Sequence, residues 1–103
     1  MIQFPVVSIR FTPPWYAMED SIAQSFVKEL QRELSPEHSL FGKPVVAVAR
    51  RIDRDDVLFR FGESPERYAV VHLTWTGKQE GSRQWPRTEI FDSLGQFTAS
   101  NSN

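Results

Sequence analysis

His72 is the residue whose type and setting come nearest to chemistry. It falls in the run Tyr68-Ala69-Val70-Val71-His72-Leu73-Thr74-Trp75-Thr76, whose alternation predicts a strand. Ala69, Val71, Leu73 and Trp75 then share one face, and Tyr68, Val70, His72 and Thr74 share the other. On an open polar face an imidazole titrating near neutrality could serve as a general base. Such a base needs a carboxylate to orient it, and Glu89, on a neighbouring strand, is the candidate. The competing reading makes His72 a hydrogen-bonded histidine beneath a C-terminal helix, since buried polar groups need partners.

Trp15, Tyr16 and Trp85 form a second group. All three stand beside prolines and outside the periodic apolar pattern. Tryptophan and tyrosine are over-represented at binding hot spots, and loops carry function more often than scaffolds do. These residues are therefore the candidate binding surface. Their alternative role is to cap the open ends of the core, which large aromatics do well.

The remaining polar clusters point to less. Asp53, Asp55 and Asp56 could offer oxygens to a cation, but Arg54 sits among them and no calcium-loop spacing follows. They read as turn residues that accept backbone N–H groups. Arg50, Arg51, Arg54, Arg60 and Arg67 alternate with acids, and strand geometry sends Arg50 and Arg51 to opposite faces. A solvated edge rich in ion pairs is expected. Glu19 with Asp20, and Glu80 with Glu89, could pair carboxylates, but nothing fixes their separation. No serine sits in a nucleophile elbow, and Lys28, Lys43 and Lys78 all have polar neighbours.

Composition removes further classes. There is no cysteine, which excludes disulfide scaffolds, thiolate zinc sites, iron–sulfur clusters and cysteine nucleophiles. The two histidines match no metal-binding spacing, and the five scattered glycines build no phosphate-cradling loop, so no metal or cofactor is implied. No apolar run reaches the roughly 18 residues of a membrane span. Met1 to Phe11 lacks a basic stretch ahead of its apolar residues and does not read as a signal peptide, so the expected location is cytoplasmic. With 12 basic and 13 acidic residues the net charge is −1, which weighs against a nucleic-acid partner.

These side chains must be positioned by a small α+β fold. The 103 residues suffice for one core and hardly for a second, and 40% apolar with 24% charged residues is globular composition. Ile2–Phe11 reads as a strand, ended by Thr12-Pro13-Pro14. Trp15 to Asp20 leads into a helix whose Ile22, Phe26, Leu30 and Leu34 recur at helical period with Ala23 and Val27 beside them, stopped by Ser35-Pro36. Val45–Ile52, Val57–Phe61 and Tyr68–Thr76 are three strands joined by polar turns at 53–56 and 62–66. Thr88–Phe91 forms a short fifth strand. Asp92 or Ser93 caps a short helix through Leu94 and Phe97. The expected order is β-α-β-β-β-(β)-α. A four- to five-stranded, mainly antiparallel sheet packs on one long amphipathic helix, in a single domain over 1–98 with a disordered tail at 99–103.

The stretch Tyr68-Ala69-Val70-Val71-His72-Leu73-Thr74-Trp75-Thr76-Gly77-Lys78, followed by Trp85-Pro86-Arg87-Thr88-Glu89-Ile90-Phe91 and Ser93-Leu94, resembles a group of small uncharacterised bacterial proteins. Asp55–Phe59 and Leu40–Arg51 resemble the same group. The likeness covers about residues 37–97 and implies a bacterial cytosolic source and a compact domain. It brings no catalytic residue with it.

The leading expectation is a non-enzymatic protein-interaction module, a regulator or immunity-type inhibitor of another protein. The alternative is a small-molecule binder or enzyme using the His72 face, with Trp75 and the Trp85 loop shaping a pocket. A sheet-based RNA binder ranks third. Exposed sheet edges also leave a homodimer open.

Overall fold

In the computed structural model, residues 11, 13–62, 66–75 and 86–101 are described. Five strands and two helices follow in the order β1 (Trp15–Ala17), α1 (Asp20–Glu33), β2 (Val45–Arg51), β3 (Asp56–Phe61), β4 (Arg67–His72), β5 (Arg87–Phe91) and α2 (Leu94–Asn101). The strands form one antiparallel sheet whose spatial order matches the chain order, β1-β2-β3-β4-β5. The α+β architecture is the expected one, with a helix of 14 residues, roughly 21 Å at 1.5 Å per residue.

The first expected strand, Ile2–Phe11, lies outside the described residues apart from Phe11, whose ring meets Phe97 at 6.3 Å. Among the described residues the sheet begins at Trp15–Ala17, a segment expected to lead into α1. These three residues add to the free edge of β2, with Trp15 opposite Arg51 and Tyr16 opposite Arg50. The Ile52 amide bonded to the Pro14 carbonyl extends the pairing at one end, and the Met18 amide bonded to the Val48 carbonyl extends it at the other.

Helix α1 covers one face of the sheet. Ala23, Leu30 and Leu34 join Ala47, Val57, Phe59, Phe61, Ala69, Val71 and Leu73 in one buried cluster, with Phe26 and Val27 at its margin. Of the expected apolar stripe only Ile22 stays exposed. The inward side also carries Glu29 and Glu33, both buried.

Helix α2 packs on the opposite face, where Phe97 meets Trp15, Ala49, Leu58, Tyr68 and Phe91. One core was expected; two clusters lie back to back, sharing the strands between them. Sharing explains how so short a chain holds both, because alternate residues of β3 and β4 serve different clusters. The Ser93 hydroxyl accepts the Gln96 amide at the start of α2, and the Gln96 side chain accepts the Asp92 amide in return. The helix continues through Ala99, Ser100 and Asn101, which were expected in the tail.

A bulge in β2 lets one strand serve both clusters. Ala47 pairs with Phe59 but Ala49 pairs with Leu58, so Val48 is an extra residue and the alternation inverts. Val45 and Ala47 thus face α1, Ala49 faces α2, and Arg50 comes back to the α1 side. Without the extra residue Arg50 would stand on the other face.

Candidate functional site

Strand β4 ends at His72, four residues earlier than expected, because the backbone turns off the sheet at 73–75. Leu73 remains buried and its amide still bonds to the Asp55 carbonyl. The next two amides leave the ladder and find a carboxylate: Thr74 donates to Glu33 Oε1 and Trp75 to Glu33 Oε2, each at 2.8 Å. Trp75 takes a left-handed backbone, φ 58°, a conformation that costs a bulky side chain of order 1–3 kcal/mol and persists only where the surroundings enforce it.

Glu33 is that enforcement. It is 0% exposed, an expensive place for a carboxyl. Burial, together with the hydrogen-bonded Glu29 carboxyl one turn before it, pushes its pKa up to about 7, while the two backbone amides and Thr74 act in the opposite direction. Glu29 also lies 3.6 Å from Arg32.

The result is an indole held in the open. Trp75 is 44% exposed. Its ring meets Phe26 edge-on at 5.0 Å. The Arg50 guanidinium lies 5.5 Å from the centre of the same Phe26 ring, within cation–π range. Tyr16, 45% exposed, stands directly opposite Arg50 across the β1–β2 pair. Tyr16, Arg50, Phe26 and Trp75 therefore run side by side along one end of the α1 face. A hollow of about 160 Å³ opens between Phe26, Arg50, Arg54, Asp55 and Trp75.

A separate concavity lies on the other face, on the part of the sheet that α2 leaves uncovered. It measures about 700 Å³ and is lined by Arg54, Asp56, Val70, His72, Arg87 and Glu89, with Thr88 at its wall. Asp56, His72 and Arg87 form one cross-strand row over β3, β4 and β5. The His72 side chain is 46% exposed, so it is not the histidine sealed beneath a helix. The carboxylate that orients it is Asp56, whose Oδ1 lies 2.8 Å from His72 Nδ1, and not Glu89. Glu89 shares the cleft but pairs with Val70, one row away. Nδ1–H donates to Asp56, which leaves Nε2 facing the cleft.

The other expected site residues separate. Trp15 is a core residue, 4% exposed, with its ring against Phe97 at 5.1 Å and the Arg51 guanidinium above it at 5.9 Å. Once β1 joins the sheet, Trp15 points beneath α2, which removes it from the binding surface and leaves Tyr16, its neighbour on the opposite face, exposed. Trp85 lies outside the described residues. Arg51 grips Asp53 through two bonds of 2.9 and 2.8 Å, and this holds the Asp53 carboxyl below its ordinary range. The face separation expected for Arg50 and Arg51 is present, one guanidinium over Phe26 and the other over Trp15.

His38, singled out only as a metal ligand to be dismissed, is a structural hub. It is buried, its Nδ1 accepts the Leu40 amide, and its Nε2 lies 3.0 Å from both the Pro86 carbonyl and the Thr88 hydroxyl. Its burial is not legible in the sequence, because two of its three partners, Pro86 and Thr88, lie 48 and 50 residues further along the chain. Among the described residues no group of three His, Asp or Glu side chains gathers as a metal site, and no helix is long and apolar enough to cross a membrane.

Comparison of the chain with protein-family models, with curated proteins and with solved structures finds no match in any of the three.

Proposed function

We propose that this chain is a non-enzymatic protein-interaction module acting in the cytoplasm, a regulator or inhibitor that captures an acidic segment of a partner protein on the Tyr16–Arg50–Phe26–Trp75 surface. The observation that carries this reading is the exposed, left-handed Trp75 fixed by a fully buried carboxylate. The strain at Trp75 and the desolvation of Glu33 both cost free energy, and the two amide bonds to Glu33 hold the indole in the open against that cost. Tryptophan, tyrosine and arginine are also the three residue types that most often dominate binding energy. The surface cations Arg50 and Arg54 fit carboxylates, and the Phe26–Trp75 edge fits an apolar side chain beside them. Asp55 at the rim and the net charge of −1 disfavour a polyanionic strand.

Selection of a random displayed peptide library on the immobilised protein tests this. Enrichment of peptides that combine Asp or Glu with an aliphatic or aromatic residue is expected. Their affinity should fall at least tenfold, about 1.4 kcal/mol, in Trp75→Ala and in Arg50→Glu, both fully folded by circular dichroism. Enriched peptides that bind both variants as well as the parent would refute the surface. Tight, salt-sensitive binding of single-stranded oligonucleotide lost in Arg50→Glu would replace the protein partner with a nucleic acid.

A further inference from the structure

On the face opposite Trp75, the cleft around His72 holds charges of both signs, and they are not equally committed. Asp56 is engaged by His72 at 2.8 Å and lies 3.9 Å from Arg54. Arg87 and Glu89 also line the cleft, and neither forms an ion pair among the described residues. Being alternate residues of β5, they project to the same side, about 7 Å apart along the strand. Arg87 stands in the row of His72 and Glu89 in the row of Val70. The walls thus offer, in order, a guanidinium fork, an imidazole nitrogen, an apolar patch and a carboxylate. A guanidinium pairs with a carboxylate in a two-bonded geometry, and a carboxylate accepts from an ammonium. An anion alone would face Glu89, and a cation alone would face Arg87; a molecule bearing both charges a few ångströms apart satisfies both.

We infer that this cleft binds a small zwitterion of the amino-acid class, its carboxylate on Arg87, its ammonium on Glu89, and His72 Nε2 as a third polar contact. The site lies on the opposite face from Trp75, with Arg54 bordering both hollows. Because it is open to solvent, affinity in the millimolar range is expected, about 4 kcal/mol of binding free energy.

Amide chemical shifts of the isotope-labelled protein, followed during titration with L-alanine, acetate or methylammonium to tens of millimolar, test the assignment. Alanine should give saturable shifts confined to residues 70–72 and 87–89, with acetate and methylammonium at least tenfold weaker. Arg87→Ala and Glu89→Gln, both at exposed positions, should each weaken alanine at least tenfold, while Trp75→Ala should leave it unchanged. Acetate binding as tightly as alanine and surviving Glu89→Gln would make this an anion site and overturn the inference. So would the absence of any saturable shift, or an alanine affinity indifferent to both variants.

Discussion

Glu33 stores a pH dependence in the fold. In the unfolded chain its carboxyl ionises near 4.5, whereas in the folded protein it holds its proton to about 7. Between those values the folded state binds more protons at this carboxyl than the unfolded state, so the contribution of Glu33 to stability is fully present below 4.5 and is lost as pH rises through 7. A loss on the order of 1–2 kcal/mol is expected between pH 5 and pH 8, read as a lower urea midpoint at pH 8. Glu29→Gln should flatten this profile, because an amide at that position can donate to the Glu33 carboxylate and support its ionised form. A profile unchanged in Glu29→Gln would show that the pair does not govern it. Ser35 makes a second case: its hydroxyl is buried and has no partner among the described residues. Ser35→Ala should therefore stabilise the protein, by about 0.5–1 kcal/mol in denaturant unfolding. Neither residue is legible from composition. Glu33 falls three residues after Leu30 and seven after Phe26, within the apolar stripe of α1, and what periodicity does not reveal is that the Thr74 and Trp75 amides leave the ladder to meet it. The Asp56–His72 pair, by contrast, was within reach. Closing β3 on β4 with Phe61 opposite Arg67 places Asp56 opposite His72 with no freedom left, whereas choosing Glu89 required a register between β4 and β5 that the long link after His72 does not fix.

Elements that carry a hydrophobic repeat of their own period are legible in the sequence. Helix α1 and strands β2, β3 and β5 lie within a few residues of expectation because Leu30 and Leu34, or Val57, Phe59 and Phe61, can be buried in only one periodicity. The failures are elements that exist because of their neighbours. Trp15–Ala17 is too short to show any period and becomes a strand only because β2 has an edge to offer. The bulge at Val48 is equally silent, since Val-Val-Ala-Val-Ala suits either face. Helix α2 is the opposite case, announced by its cap. Ser93→Ala should cost about 1 kcal/mol through loss of the bond to the Gln96 amide. Gly95→Ala should gain up to about 1 kcal/mol, because a methyl there meets nothing nearer than Ser93 Oγ at 3.6 Å. Thermal unfolding of the two single variants should move in opposite directions, and a shift of the same sign in both would refute the cap.

The whole molecule is a sheet clothed on both sides, with the two apolar clusters separated only by backbone. Each cluster depends on strands that the other holds in place, so the protein should unfold in a single cooperative transition. Truncating either side tests this. Leu30→Ala on the α1 side should cost about 2–5 kcal/mol and Phe97→Ala on the α2 side about 3–5 kcal/mol. In both, circular dichroism and tryptophan fluorescence should report coincident midpoints. An early fluorescence change in Phe97→Ala, while the ellipticity persists, would mean that the α2 side melts alone.

The strands lie side by side in the sequence they leave the ribosome. Each ladder joins a strand to the strand that precedes it in the chain, and the longest excursions to be closed are those carrying α1 and the link from β4 to β5. Loop-closure entropy grows only slowly with such lengths, and pairings between chain neighbours favour rapid folding. Assembly during synthesis can therefore proceed strand by strand, with the β2–β3–β4 ribbon formed before the last two elements arrive to close its second side.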